Sequence, residues 1–315
     1  MTSQAIAAVG TDARTERYRQ AERRLWEHYG LAPTERYVEV ESPRASLRVV
    51  EVGTGDPVLF LPGTPGTGPY WGALIRELKD FRCLMLDRPG WGLSSAIDYS
   101  NYEYRRLIGD VVRDVLDTLG LNRVHVVGHS IGNVWALRLA LAHPSRVGRI
   151  TLIGGGPVLQ EIPAPGFIKV LASPLGAILV RLPQKRERVL DLLRQAGHGP
   201  SLDAGRIPDA FVDWRIAFHR ETDSMRHERD MVRTLVSRTG WRPGLTLTDA
   251  ELGAVRNPLL WVYGTADAVG SVELWRQTVG QFAHAELRLI EGGGHMPWLD
   301  DPGSVGSSIA GFLAG

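Results

Sequence analysis

Three short segments carry residue types that could together perform nucleophilic catalysis. Gly128-His129-Ser130-Ile131-Gly132 has the G-x-S-x-G pattern, with the apolar run Val124 to Val127 before it and a helical segment from Ile131 after it. In that setting the serine occupies a strained strand-to-helix turn that lifts its hydroxyl above the sheet edge. The flanking glycines are required because a side chain there would collide with neighbouring strands and helix. The Ile131 N–H and the helix N-terminus then face any developing oxyanion. A serine hydroxyl needs a base, and the base needs an orienting acid. Glu291-Gly292-Gly293-Gly294-His295-Met296-Pro297 places His295 on a glycine-rich loop directly after the last apolar run. Gly264-Thr265-Ala266-Asp267 places a carboxylate just past the run before that. Singly, these residues also read as a helix cap, a solvated loop histidine and an Asx turn. Their joint occurrence at three strand ends favours the chemical reading.

The elements that must position them follow from periodicity. Val58–Leu61, Leu84–Leu86, Val124–Val127, Ile150–Ile153, Leu259–Val262 and Leu287–Ile290 are short apolar runs, each ending in a glycine-containing or aspartate turn. Runs of this kind alternating with helices indicate a parallel sheet buried on both faces. Upstream, Tyr37–Glu41 alternates with period two and Leu47–Val52 can pair with it as a hairpin. Helices are expected over Glu16–Tyr29 and Tyr104–Leu119, the latter with Leu107, Val111, Val112, Val115 and Leu119 on one stripe. Residues 1–13 read as a frayed tail. From about 157 to 245 no strand-like run occurs. Apolar stripes over Arg188–Ala196, Asp209–Arg220 and Ser224–Val236 instead indicate helices separated by Pro and Gly clusters.

The chain order Ser130, Asp267, His295, each after its own strand, resembles that of the α/β-hydrolase fold superfamily in its capped form. The likeness extends from about Arg36 to the C-terminus. It implies an α/β class with a doubly wound, mostly parallel eight-stranded sheet. The organisation expected is a tail and helix at 1–35, a first core part at 36–156, a helical cap at 157–245 and a second core part at 246–315. Leu61-Pro62-Gly63-Thr64-Pro65-Gly66 is similar to the family's His-Gly-x-Pro loop, with Pro62 where histidine is usual. By that resemblance the Thr64 N–H joins that of Ile131 in an oxyanion hole. Asp87-Arg88-Pro89-Gly90-Trp91-Gly92-Leu93-Ser94 is similar to the family's Asp-x-x-Gly-x-Gly-x-Ser turn and reads as structural, with Trp91 able to line the pocket. Haloalkane dehalogenases and epoxide hydrolases of this fold carry aspartate at the position of Ser130, and dienelactone hydrolases carry cysteine. Relatives with the acid after an earlier strand are also excluded, because that strand ends in Gly154-Gly155-Gly156.

The resulting expectation is a serine hydrolase acting on a carboxylic ester or lactone through an acyl-enzyme. Ser130 is the nucleophile, His295 the base and Asp267 its orienting acid. Carbon–carbon bond hydrolysis, acyl transfer to another acceptor, or ligand reception on the same residues are the alternatives. Phe167, Leu171, Trp214, Phe218, Met231, Trp91 and Met296 are the candidate lining of an apolar pocket for an apolar or aromatic substrate.

Composition sets limits on other readings. The 315 residues carry 36 Lys+Arg against 35 Asp+Glu, a net +1, which argues against a nucleic-acid binder relying on counterion release. From Arg181 to Arg242 there are 13 Lys/Arg against 9 Asp/Glu, an excess read as a solvated helical face. Cys83 is the single cysteine, so no intrachain disulfide forms and a reducing, cytoplasmic compartment is expected. The longest apolar run, Val170 to Val180, is too short to span a bilayer. His227-Glu228-Arg229-Asp230-Met231 lacks the second histidine of a zinc-protease helix, so no metal is expected. Glycines 63–68 lack dinucleotide or P-loop spacing, so no nucleotide cofactor is expected either.

Overall fold

The computed structural model describes residues 12–315 apart from 65, 160–162, 165, 238–239 and 243, and excludes the Phe167 side chain. Most of the expected tail, Pro65 of the Thr64 loop and Phe167 as a lining residue therefore lie outside the described residues. Eight strands form one sheet: β1 (Thr34–Glu41), β2 (Arg44–Val52), β3 (Asp56–Leu61), β4 (Phe81–Leu86), β5 (Val124–His129), β6 (Val147–Ile153), β7 (Leu259–Gly264) and β8 (Ala285–Ile290). Their spatial order is β1-β2-β4-β3-β5-β6-β7-β8. β2 runs antiparallel to β1 and β4, and every other pairing is parallel.

Strand residues alternate between two apolar layers. In β3, Leu59 and Leu61 join the layer built on helices Tyr104–Thr118 and Ile131–Ala142, while Val58 and Phe60 join the layer under Ala13–His28 and Pro302–Ala314. The helix Ile131–Ala142 is apolar around its circumference, and Val134 through Leu137 are fully buried. That pattern belongs to a helix covered on all sides.

Register brings the carboxyl ends of the strands level. Leu61 pairs with Gly128, Gly128 with Leu152, Leu152 with Trp261 and Trp261 with Leu287. Everything immediately downstream of β3, β5, β6, β7 and β8 therefore emerges along one edge. β3 and β5 are also where the order of connections reverses, the crevice at which open α/β sheets bind ligands. Helices Gly166–Ala172, Pro174–Leu179, Arg186–Leu193, Asp209–Glu221 and Ser224–Leu235 occupy the long β6–β7 connection.

Candidate active site

β5 delivers Ser130 in an unusual conformation. Its φ of 54° and ψ of −118° make it the one non-glycine residue with positive φ among those described. Such backbone strain costs about 1–3 kcal/mol and persists only where surroundings enforce it. The enforcement is visible. A Cβ on Gly128 would lie 2.6 Å from Gly132 O, and one on Gly63 would lie 2.9 Å from Ser130 Cβ. Gly132 abuts Leu61 O, and Gly156 abuts the Ser130 backbone, as closely. Ser130 N–H donates to Ile153 O at 3.2 Å, tying the elbow to β6.

β7 and β8 bring Asp267 and His295 together. His295 Nδ1 lies 2.9 Å from both carboxylate oxygens of Asp267. Gly155 N–H donates to Oδ2 and Val269 N–H to Oδ1, each at 2.8 Å. Burial alone would raise the Asp267 pKa. The His295 interactions and the two N–H groups outweigh it and hold the carboxyl below its usual range. An ionised acceptor fixes the proton on Nδ1 and leaves Nε2 free to take one. Among the described residues, no hydrogen bond joins Ser130 Oγ to His295, a contact that tightens on substrate binding in such sites.

The His295 loop is held on three sides by residues the sequence reading did not single out for a role. His295 O accepts from His129 Nε2 at 2.8 Å, so His129 carries its proton there, and Nδ1 accepts from the Tyr70 hydroxyl at 2.6 Å. Burial keeps His129 far below the ordinary imidazole range, in keeping with that neutral tautomer. From the β6–β7 connection, Ala196 O receives His295 N–H at 2.8 Å, and His198 Nε2 receives Met296 N–H at 3.2 Å. His198 Nδ1 accordingly donates to Asp300 Oδ2 at 2.9 Å, which also accepts Gly294 N–H at 2.8 Å. Gly197 has φ +94°, and a Cβ there would meet Gly294 Cα at 2.9 Å. This Gly197–Pro200 segment had read only as a break between helices.

Ile131 and the Thr64 loop both adjoin the serine. Ile131 opens the helix after the elbow, and the Gly63 contacts put the Thr64 loop against Ser130. Thr64 Oγ1 donates to Glu228 Oε1 at 2.7 Å, linking this loop to helix Ser224–Leu235. Glu228 is 2% exposed, and among the described residues its Oε2 has no hydrogen-bond partner. Burial pushes the carboxyl above its usual range against the opposing Arg88 charge. Arg88 is fully buried, lies 3.5 Å over the Trp91 ring, and among the described residues its Nε and Nη2 have no hydrogen-bond partner. Both lie in segments whose sequence pattern drew notice, Asp87–Ser94 and His227–Met231, but that pattern does not show the two side chains meeting.

Of the candidate lining residues, Trp91, Trp214, Phe218, Met231 and Met296 are buried. Trp214 packs between Tyr70, Phe211 and Phe218, with Phe218 also facing Trp91. Met231 Sδ meets Arg88 and the Tyr104 hydroxyl. Met296 is buried in the layer that contains Trp214, and Leu171 is half-buried against the opposite one. The expected apolar surroundings differ in one respect. Arg215, which follows Trp214 directly and lies one turn before Phe218 on the same helix, is 8% exposed and makes no ion pair or hydrogen bond among the described residues. Burial lowers its pKa, the Tyr70 hydroxyl being the neighbour that opposes this. An arginine in the solvated face expected for this region is thus turned inward. No cluster of His, Cys, Asp or Glu suited to a metal occurs among the described residues.

Residues 56–302 match the family model of the alpha/beta hydrolase fold, and the chain belongs to that family. It is 26% identical over 291 residues to a 2-hydroxy-6-oxononadienedioate/2-hydroxy-6-oxononatrienedioate hydrolase of Cupriavidus pinatubonensis, spanning 90% of this chain and 96% of that protein. An enzyme of the same name from Paraburkholderia phymatum is 28% identical over 273 residues, 84% of this chain and 90% of its own. The fold is shared with the naproxen esterase of Bacillus subtilis, at a TM-score of 0.75 and 18% identity over 96% of this chain and 99% of the esterase. It is also shared with the 2-hydroxy-6-oxo-6-phenylhexa-2,4-dienoate hydrolase of a Rhodococcus species, at 0.70 and 18% over 90% and 100%. These similarities make the protein an α/β-fold hydrolase. Among the described residues, no helix is long and apolar enough to cross a membrane.

Proposed function

We propose that the protein is a serine hydrolase that cleaves a carboxylic ester or lactone through an acyl-enzyme on Ser130. The observation that carries this reading is the strained Ser130 elbow at the same sheet edge as the hydrogen-bonded His295–Asp267 pair. Ser130 Oγ attacks the carbonyl carbon as its proton passes to His295 Nε2. The Thr64 and Ile131 N–H groups hold the oxyanion. The C–O bond breaks, and the leaving alkoxide takes the proton from Nε2. Water then attacks the acyl carbon, with His295 again accepting and returning a proton, and frees the acid. Asp267 keeps the imidazole in the required tautomer and stabilises its cation. In this reading the β6–β7 connection is a cap, Trp91, Trp214, Phe218, Met231 and Met296 line the acyl pocket, and the presence of a single cysteine, Cys83, supports a reducing, cytoplasmic location.

A second reading is favoured by Arg215. A buried cation without an acidic partner is costly unless a ligand supplies the charge. The dioate relatives are named for substrates with two carboxylates. On the same machinery, hydrolysis of a C–C bond next to a ketone, in a substrate whose carboxylate meets Arg215, is then the alternative. The test is turnover of an ester and lactone panel against acidic and neutral diketones. Rapid ester turnover supports the first reading, while turnover confined to acidic diketones and lost in Arg215→Ala replaces it with the second. Ser130→Ala is expected to abolish fluorophosphonate labelling and lower kcat by at least about 10³-fold. Retained activity in that variant would remove the covalent mechanism from both.

A further inference from the structure

Large exposed apolar side chains are concentrated in one place. Val170, Leu175, Ile178, Leu179 and Leu182 are 41–59% exposed, and all lie on or just beyond helices Gly166–Ala172 and Pro174–Leu179. Tyr102 is the other such residue among those described. The two helices pack closely because a Cβ on Gly176 would collide with the backbone of Val170 and Leu171. Isolated exposed apolar residues need no explanation, but a contiguous patch marks an interaction surface.

Along the sequence, the charge flanking this ridge has one sign. Between Glu161 and Glu187 the sequence has no acidic residue, yet it holds Lys169, Arg181, Lys185 and Arg186, including two of the chain's three lysines. At the end of the ridge, Leu182 and Arg181 enter a cleft of about 160 Å³ that is also lined by Arg14, Arg220 and Arg226. Asp223, the one acid in that lining, pairs with Arg226 at 3.2 Å and Arg14 at 3.6 Å. Arg181 and Arg220 have no ion pair among the described residues. The cationic excess read as a merely solvated face is thus partly gathered, with Arg14 from the N-terminal helix, into a pocket beside apolar side chains.

From this juxtaposition we infer that the Pro174–Leu182 ridge and its arginine cleft dock on an anionic phospholipid surface, with Ile178 and Leu182 entering the acyl boundary and a headgroup phosphate entering the cleft. Apolar residues flanked by Lys and Arg are what interfacial binding requires. A second copy fits less well, because a two-fold contact through this cleft would set the Arg181 and Arg220 of one copy, which have no ion pair among the described residues, against those of the other. The inference does not rest on the proposed chemistry, and its test needs no turnover.

The experiment is co-sedimentation of the full chain with vesicles of phosphatidylcholine and phosphatidylglycerol at three to one, and with phosphatidylcholine alone. Binding is expected to the mixed vesicles and to weaken at high salt. Ile178→Asp and Leu182→Asp should each weaken it at least about tenfold, and Arg181→Glu and Arg220→Glu by about fivefold or more each. Unchanged thermal melting separates these losses from misfolding. The inference is overturned by absent binding, equal binding to neutral vesicles, or variants that bind as wild type. Concentration-dependent self-association abolished by the Ile178 and Leu182 variants would also overturn it, by assigning the ridge to a second copy.

Discussion

Asp267 accepts four short contacts, two from one imidazole nitrogen and two from backbone N–H groups, so an amide in its place conflicts with donors on every side. Asp267→Asn should turn the His295 ring or its tautomer and lower kcat by about 10⁴-fold with KM little changed, measured by steady-state kinetics. Glu228 allows a finer comparison. Gln can still accept from the Thr64 hydroxyl and should retain near wild-type turnover. Glu228→Ala frees the Thr64 side chain and should lower kcat about tenfold, with the same kinetics reading both variants. Ser130, Asp267 and His295 were legible because the chemistry demands particular residue types at strand ends, with glycines around them. Glu228 and Arg215 were not, since each lies in a helical stripe whose inward face is set by tertiary packing alone. The Arg181–Arg242 charge excess gave the correct sign for this region and no indication that Arg215 turns inward.

The strands and their order along the chain were legible in the sequence, whereas the contacts of the long β6–β7 connection were not. Hairpin, parallel runs and helices appeared near their expected bounds because apolar periodicity survives any tertiary arrangement. The β6–β7 helices were also expected, yet their attachment to the His295 loop through His198 was not, because a buried histidine bridging distant loops leaves no periodic trace. His198 bonds both Asp300 and Met296 N–H, so His198→Ala leaves a buried carboxylate and an amide with lost partners. The expected cost is about 1–3 kcal/mol in urea unfolding. Turnover should fall while the variant remains folded, because the loop that presents the imidazole loses one of its supports. Unaltered stability and kcat would show the clamp to be dispensable.

For the molecule as a whole, one buried cation ties distant parts of the chain together. Arg48 of β2 meets Glu22 of the N-terminal helix at 2.8 Å, Glu35 of β1 at 2.6 Å and Asp87 after β4 at 3.4 Å. Burial pushes the Asp87 pKa up to about 7, with Arg48 opposing the rise. Because the folded value lies above the unfolded one of about 3.9, the folded state holds the proton more tightly between them. Its contribution is full below the unfolded value and is lost as pH climbs through about 7. Thermal melting of wild type relative to Asp87→Asn should therefore decline across that window and level off above it. A difference flat with pH would show that Asp87 is ionised throughout.

The two amides that close the His295 loop onto the β6–β7 connection also restrict how a door over the site could swing. Their acceptors, Ala196 O and His198 Nε2, belong to the moving part of any such door, while the amides themselves belong to the frame. Lifting the connection at that corner would unlatch the imidazole from its working position in the same stroke. If the β6–β7 connection acts as the proposed cap, passage for a substrate opens elsewhere, with the Ala196–His198 corner as the hinge pin. Deuterium uptake at the His295 and Met296 amides would count the occasions on which the pin is drawn.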